Sequence, residues 1–174
     1  MTQVSCKICI LGDFAVGKTS TVERFVNNQF SEKYLTTIGV KVDTKEVALS
    51  DDMTLKLVVW DVAGTHTFGD VEFAYLRGAS GHILVADGTR PDSVITALEL
   101  WKQVEDRFGD LPFVFLVNKS DLTEAWEVSA EQEQALRKEC SDVFITSAKT
   151  GEHVAEAIKR LSEMIAEREF SQSR

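Results

Sequence analysis

The chain is poor in cysteine, poor in positive charge and without any long apolar run, and each shortage excludes a class of protein. Three cysteines in 174 residues, Cys6, Cys9 and Cys140, fall at no metal-site spacing, and two of them share one expected buried strand. Neither a metal cluster nor a disulfide framework is expected, and a reducing compartment, the cytoplasm, is. Nineteen Lys and Arg against 28 Asp and Glu leave a formal net charge of −9, which removes the electropositive footprint that nucleic acid or an acidic membrane surface requires. A nucleotide is not excluded, because one lysine, one divalent cation and a few aligned N–H groups act locally. Nothing is long and apolar enough to span a bilayer. The start, Met1-Thr2-Gln3-Val4, shows neither a secretory leader nor a glycine at position 2 for myristoylation. There is no evident repeat, low-complexity tract or linker. With 44% hydrophobic and 27% charged residues, residues 1–174 are expected to form one globular, monomeric domain.

What is present begins with Gly12-Asp13-Phe14-Ala15-Val16-Gly17-Lys18-Thr19, which fits the P-loop pattern G-x-x-x-x-G-K-[ST] directly after the apolar run Ile8-Cys9-Ile10-Leu11. Two glycines let the backbone curl so that successive N–H groups face a phosphate, and the following helix adds its positive N-terminal end. The expected phosphate-binding residues are Asp13, Phe14, Ala15, Val16, Gly17, Lys18, Thr19 and Ser20. Lys18 reaches the β- and γ-phosphates, and the Thr19 hydroxyl ligates Mg²⁺.

Along the chain, the spacing predicts a strand over 4–11 and a helix from 18 to about 29, with Val22, Phe25 and Val26 at helical intervals. A polar surface loop over 30–37 precedes two strands, 39–50 and 54–62, that flank Ser50-Asp51-Asp52 as an antiparallel hairpin. Apolar runs at 82–86 and 113–117 read as buried strands. Between them Val94, Ala97, Leu98, Trp101, Val104 and Phe108 stripe a helix that starts near Pro91 and stops at Gly109. Ser129-Ala130-Glu131-Gln132 opens another helix with a capping box, 143–145 is a short strand, and Val154, Ile158, Leu161 and Ile165 stripe the last helix. Such alternation predicts a doubly wound α/β fold: a six-stranded, mostly parallel sheet with one antiparallel strand and helices on both faces. Ligands of such sheets bind beyond the C-terminal strand ends, where Gly12, Asp61, Asn118 and Ser147 fall.

Two further motifs follow strands. Asp61-Val62-Ala63-Gly64 offers a carboxylate to the Mg²⁺ and the Gly64 N–H to a γ-phosphate. Asn118-Lys119-Ser120-Asp121 suits a guanine: the amide can engage the base edge, the lysine stem can cover the ring, and Asp121 can accept from both the ring N–H and the exocyclic amine. Adenine lacks that donor pair.

With these elements in this order, the chain resembles the small GTPases of the Ras superfamily. The Rab branch looks nearest through Thr37-Ile38-Gly39-Val40, Trp60-Asp61, Tyr75-Leu76-Arg77-Gly78-Ala79-Ser80-Gly81 and Asn118-Lys119-Ser120-Asp121-Leu122. The resemblance implies a GTP/GDP switch. By it, Phe30 packs on the guanine, Tyr34 covers the phosphates, Thr37 ligates Mg²⁺ and the γ-phosphate, and Ser147-Ala148-Lys149 completes the base pocket. Lys18, Thr37, Gly64 and Thr65 then stand where hydrolysis occurs, and Thr19, Thr37 and Asp61 form the Mg²⁺ site. The loops 30–37 and 64 to about 75 become a surface that exists only with the γ-phosphate bound. The implied partners are effector proteins reading that surface with Trp60 and Tyr75, an exchange factor and a GTPase-activating protein.

Several positions depart from the family pattern. Thr65 stands where a glutamine usually orients the attacking water, and it is too short to make the same contacts. Phe14 puts a bulky ring where the pattern has Gly or Ser, beside the γ-phosphate, and should crowd an arginine finger. His66 and Thr67 replace Glu-Arg, and Val42 replaces a Phe of the effector-binding aromatic triad. His66 could position water itself. The ending Glu169-Phe170-Ser171-Gln172-Ser173-Arg174 carries no prenylation cysteine, so membrane association is expected only through partners or through a tail not in this chain. Two functions remain open, a switch with slow hydrolysis and a scaffold that holds GTP almost permanently. A P-loop kinase or ATPase would leave the base motifs unexplained.

Overall fold

Apolar runs too short for helices and bounded by turns become strands, and the striped segments between them become helices that cover the sheet. The computed structural model describes residues 2–32, 39–64 and 68–172. Its elements are β1 (Thr2–Gly12), α1 (Lys18–Asn27), β2 (Val40–Ser50), β3 (Met53–Val62), α2 (Asp70–Tyr75), β4 (Gly81–Asp87), α3 (Pro91–Phe108), β5 (Phe113–Asn118), α4 (Ala130–Glu139), β6 (Val143–Ile145) and α5 (Val154–Ser171). The strand order is β2-β3-β1-β4-β5-β6. All neighbours are parallel except β2 and β3. This is the doubly wound α/β sheet with one antiparallel strand that the sequence predicts.

The core is two layers divided by the sheet. On β1 the alternation of side chains sends Ile8 and Ile10 to one face, under Val22 of α1 and Ile158, Leu161 and Ile165 of α5. Cys9 and Leu11 go to the other, under Phe73 of α2, Val104 of α3 and Leu136 of α4. Because β3 and β4 lie on either side of β1, the chain leaves β1 in opposite directions across the sheet. That reversal opens a crevice at the C-terminal end of β1, where the P-loop begins.

Local signals fix most boundaries. Pro91 opens α3, and Gly109, at φ +82°, closes it. At α4, Gln132 N donates to Ser129 Oγ at 3.1 Å while Ser129 N donates to Gln132 Oε1 at 2.8 Å, the expected capping box. Helix α1 stops at Asn27, short of the expected 29, because Asn28 turns left-handed and its N–H bonds back to Arg24 O. The segment 64–75, expected to be loop throughout, contains α2. With six residues and a single buried side chain, Phe73, it carries no helical stripe. Tertiary contacts hold it instead: the Arg107 guanidinium lies 3.9 Å over the Phe73 ring, and Phe68 meets that ring edge-on at 5.0 Å.

All three cysteines are free and buried. Burial pushes the Cys6 and Cys140 thiols up to about 11 and Cys9 up to about 12. His82 on β4 is 0% exposed, lies edge-on to Trp101 at 5.7 Å, and neither ring nitrogen has a hydrogen-bond partner among the described residues. Burial, aided by the charge of Lys7, pulls it down to about 4 from 6.5. The unfolded chain therefore takes up this proton first on acidification, so the contribution of His82 opposes folding between about pH 6.5 and 4. Replacing it by His82→Leu should remove about 2 kcal/mol of the stability loss between pH 7 and 5. Urea unfolding of both proteins at pH 7, 6 and 5 measures this; parallel curves would show that His82 does not titrate this way.

Candidate functional site

At the C-terminal ends of the strands lies an open cleft of about 400 Å³. Phe14, Ala15, Gly17, Lys18, Thr19 and Ser20 line it, with Gly64, and so do Phe30, Asn118, Lys119, Asp121, Ala148 and Lys149. The structure thus brings together most of the residues picked from sequence. Asp13, Val16, Asp61 and Ser147 are buried and stand behind that lining. Tyr34, Thr37 and Thr65, with His66 and Thr67, lie outside the described residues. Ser31, Glu32 and Leu122 also line the cleft and were not expected.

The P-loop holds its shape by giving its carbonyls to side-chain donors. Ala15 at φ +58° and Gly17 at φ +101° are both left-handed. A Cβ on Gly17 would lie 2.3 Å from Asn118 Nδ2, so only glycine fits there. Phe14 O accepts from Arg90 Nη2 at 2.6 Å, Ala15 O from Lys119 Nζ at 2.9 Å, and Val16 O from Asn118 Nδ2 at 3.1 Å.

Asn118 has a bracing role in addition to the expected one. Besides holding Val16, its Oδ1 accepts from Ala148 N at 3.1 Å and Thr146 Oγ1 at 3.3 Å. The amide expected at the base edge is also a strut between the P-loop and the 146–149 loop, held by Val16 O on one side and the Ala148 N–H on the other. Asp121 Oδ1 accepts from Ser147 Oγ at 2.7 Å, which fixes the carboxylate in the cleft wall. Arg24 of α1 ties down the same loop: its Nε donates to Ala148 O at 2.8 Å and its Nη2 to Lys149 O. Across the mouth Lys149 Nζ pairs with Glu32 Oε1 at 3.3 Å.

Lys18 Nζ donates to Asp13 O at 2.9 Å. Burial draws Lys18 down to about 8 against the charges of Asp61 and Asp13, while Arg90 adds to the lowering. Phosphate oxygens in the cleft would return it to full charge. A Cβ on Gly64 would meet Lys18 Nζ at 2.5 Å and Phe14 Cα at 2.9 Å, so this strand end approaches the P-loop as only glycine can. Asp61 is 0% exposed. Its Oδ2 accepts from Thr19 Oγ1 at 2.6 Å, while Oδ1 is buried with no hydrogen-bond partner among the described residues. Burial raises Asp61 above the usual carboxylate range. A buried carboxylate with one unsatisfied oxygen beside a hydroxyl is a fitting donor set for a hard divalent cation, which takes oxygen ligands.

Outside the cleft, Trp60 and Tyr75 lie 6.4 Å apart, Lys7 Nζ sits 3.6 Å over the Trp60 ring, and Val42 pairs with Trp60 across the β2–β3 ladder with its side chain exposed. Sequence reasoning missed Arg24, Asp87 and Arg90. Asp87 Oδ2 accepts from Lys119 Nζ at 2.8 Å and from Arg90 Nε at 3.3 Å. Burial works to raise Asp87, but hydrogen bonds from Lys119 and Thr89 hold it below the usual range. Its place at the end of the buried run 82–86 was the one available signal.

A sequence profile of the Ras family matches residues 7–167. The chain is 37% identical over 168 residues to the Ypt/Rab-type GTPase YPT7 of Saccharomyces cerevisiae, covering 90% of this chain and 79% of that protein. It is 38% identical over 164 residues to the Ras-related protein SEC4 of the same yeast, covering 93% and 75%. With the Ras-related protein Rab7 of Drosophila melanogaster the identity is 37% over 171 residues, covering 94% and 81%.

Truncating the strut tests the geometry without any ligand. Asn118→Ala leaves Val16 O and Ala148 N without their partner, at about 1–3 kcal/mol for each buried group left unsatisfied. The melting temperature in nucleotide-free buffer should fall by about 10 °C. Calorimetric melting that shifts by less than about 2 °C would mean that water replaces the amide without loss.

Proposed function

The chain belongs to the Ras family of small GTPases, on its Rab-like branch, and from that premise we propose that it is a guanine-nucleotide switch. It binds GTP or GDP in the cleft with Mg²⁺, presents the regions 30–37 and 64–75 to effector proteins in the GTP state, and hydrolyses GTP slowly. The observation that carries this is that Lys18 and Asp121 line one cleft: a cation suited to phosphates beside Asp13 and Gly64, and a carboxylate braced by Ser147 and suited to the two donors of guanine. Phe30, Lys119 and Lys149 have side chains able to cover the base and its sugar, and Ser20 stands at the start of α1, where N–H groups meet phosphate. Thr19 and Asp61 hold the Mg²⁺, with Thr37 joining them in the GTP state. When bound, the ion neutralises charge on the phosphate oxygens. Trp60 and Tyr75 belong to the effector surface, and an exchange factor and a GTPase-activating protein are the expected regulators.

Base selectivity is the first consequence. Adenine would face Asp121 without donors, and a hydrogen-bonding site rejects a ligand lacking the partner group by about 10⁴–10⁵ in favourable cases. Titration calorimetry should show GDP bound at least about a thousandfold more tightly than ADP, and Asp121→Asn should move the preference toward xanthine nucleotides. Equal affinities for GDP and ADP would remove the assignment.

Phe14 favours a second reading. Its ring is 45% exposed and lines the cleft beside Gly64, and Thr65 cannot make the glutamine's contacts. On that reading the protein is a scaffold that retains GTP. Positioning and electrostatics carry phosphoryl transfer, and the related Ras protein turns over at only about 3–5 × 10⁻⁴ s⁻¹ without help. Single-turnover hydrolysis should run at or below that rate, and Thr65→Gln together with Phe14→Gly should raise it. A wild-type rate far above about 10⁻³ s⁻¹ would mean that another group, His66 first, orients the water.

A further inference from the structure

Three consecutive P-loop carbonyls are each held by a side-chain donor, Phe14 O by Arg90, Ala15 O by Lys119 and Val16 O by Asn118; of these donors only Arg90 lies outside the cleft lining. No peptide here is cis. In a trans peptide the carbonyl and the following N–H point in opposite directions. The grip of Arg90 on the Phe14 carbonyl therefore turns the following N–H, of Ala15, away from Arg90 and toward the cleft side. Lys119 and Asn118 belong to the base-recognition motif; Arg90 belongs to the turn between β4 and α3 and to no recognised motif. Of the three peptides held, the one it governs is nearest Gly64 and farthest along the loop from the Asn118 strut, since a Cβ on Gly64 would touch Phe14 Cα at 2.9 Å.

Resting on the guanine-nucleotide reading, we propose that Arg90 is a positioning residue for the terminal phosphate of a bound nucleoside triphosphate, acting through the Phe14 carbonyl to aim the Ala15 N–H. Ala15 is a non-glycine residue held at φ +58°, a conformation that persists only where the surroundings over-determine it. The carbonyls on both sides of Ala15 are fixed, one by Arg90 and one by Lys119. The guanidinium is itself oriented by two carboxylates: Nε donates to Asp87 Oδ2 at 3.3 Å, and Nη1 lies 3.7 Å from Asp13 Oδ2. Asp87, with its side chain 2% exposed, binds Lys119 through the same oxygen. One buried carboxylate thus holds the two cations that set neighbouring peptides of the loop, and it links the base end of the site to the phosphate end. Lysine cannot reproduce this fork, because an ammonium is a single point of charge where the guanidinium serves three acceptors in a plane.

The test compares wild type, Arg90→Ala and Arg90→Lys for affinity toward GDP and toward the β,γ-imido analogue of GTP, and for single-turnover hydrolysis of GTP. Arg90 is half exposed and outside the core, so both variants should fold. Arg90→Ala should weaken the triphosphate analogue about tenfold, as expected for one lost charge-assisted hydrogen bond, and slow hydrolysis by a similar factor, while GDP affinity changes by less than about twofold. Arg90→Lys should recover only part of both losses. A loss shared equally by GDP and the analogue, or an unchanged ratio between them, overturns the inference, because a residue that merely props the loop treats both ligands alike. Wild-type protein that takes up neither guanine nucleotide overturns the guanine reading and this inference with it, whereas wild-type binding with an unchanged ratio in Arg90→Ala sinks the inference alone.

Discussion

A loop that turns its N–H groups toward a ligand must turn its carbonyls toward the protein, and those carbonyls need donors. The architecture beneath the cleft answers this need. Donors come from the end of β5, as Asn118 and the following Lys119, and from just beyond β4, as Arg90, so the loop that closes β1 is shaped by side chains at the ends of the two strands next in order across the sheet. Two of those donors are cations, and the buried carboxylate of Asp87 at the end of β4 pairs with both. The parallel sheet is thus more than a platform: its strand order brings loops distant in sequence to the one loop that cannot satisfy itself.

The electrostatics work on two scales. Over the whole molecule acidic residues exceed basic ones, and a polyanion gains nothing from the overall field. Within the cleft the balance reverses, with Lys18, Lys119 and Lys149 in its wall and Arg90 behind the P-loop. A ligand with concentrated negative charge is favoured only after it has entered, which suits a small phosphorylated molecule.

Much of the fold was legible because its signals are local. Buried parallel strands read as short apolar runs, α3 and α5 as stripes, and α4 as a capping box. Helix α2 was not, since a six-residue helix fixed by Arg107 and Phe68 has no period to detect. The candidate site divides in the same way. Residues whose side chains face the cleft, such as Lys18, Thr19 and Asp121, stand in spaced motifs that chemistry explains. Residues that act through backbone acceptors, Arg24 and Arg90, leave no pattern, because a carbonyl oxygen is offered by every residue and its position depends on the folded loop. Asn118 shows the intermediate case. Its motif pointed to the strand end where it lines the cleft, but an amide can serve a base, a backbone or both, and only the fold shows Val16 and Ala148 within its reach.

The three buried thiols have a consequence for handling and measurement. Alkylation and oxidation proceed through the thiolate, which burial withholds from Cys6, Cys9 and Cys140 by raising their ionisation to about 11 or 12. Cys6 and Cys9 also belong to opposite layers of the core, so no single local fluctuation uncovers both. In the folded chain these sulfurs are chemically silent, and the rate at which a thiol reagent consumes them is a clock for the opening of the molecule: Cys6 for the layer under α1 and α5, Cys9 and Cys140 for the layer under α2, α3 and α4.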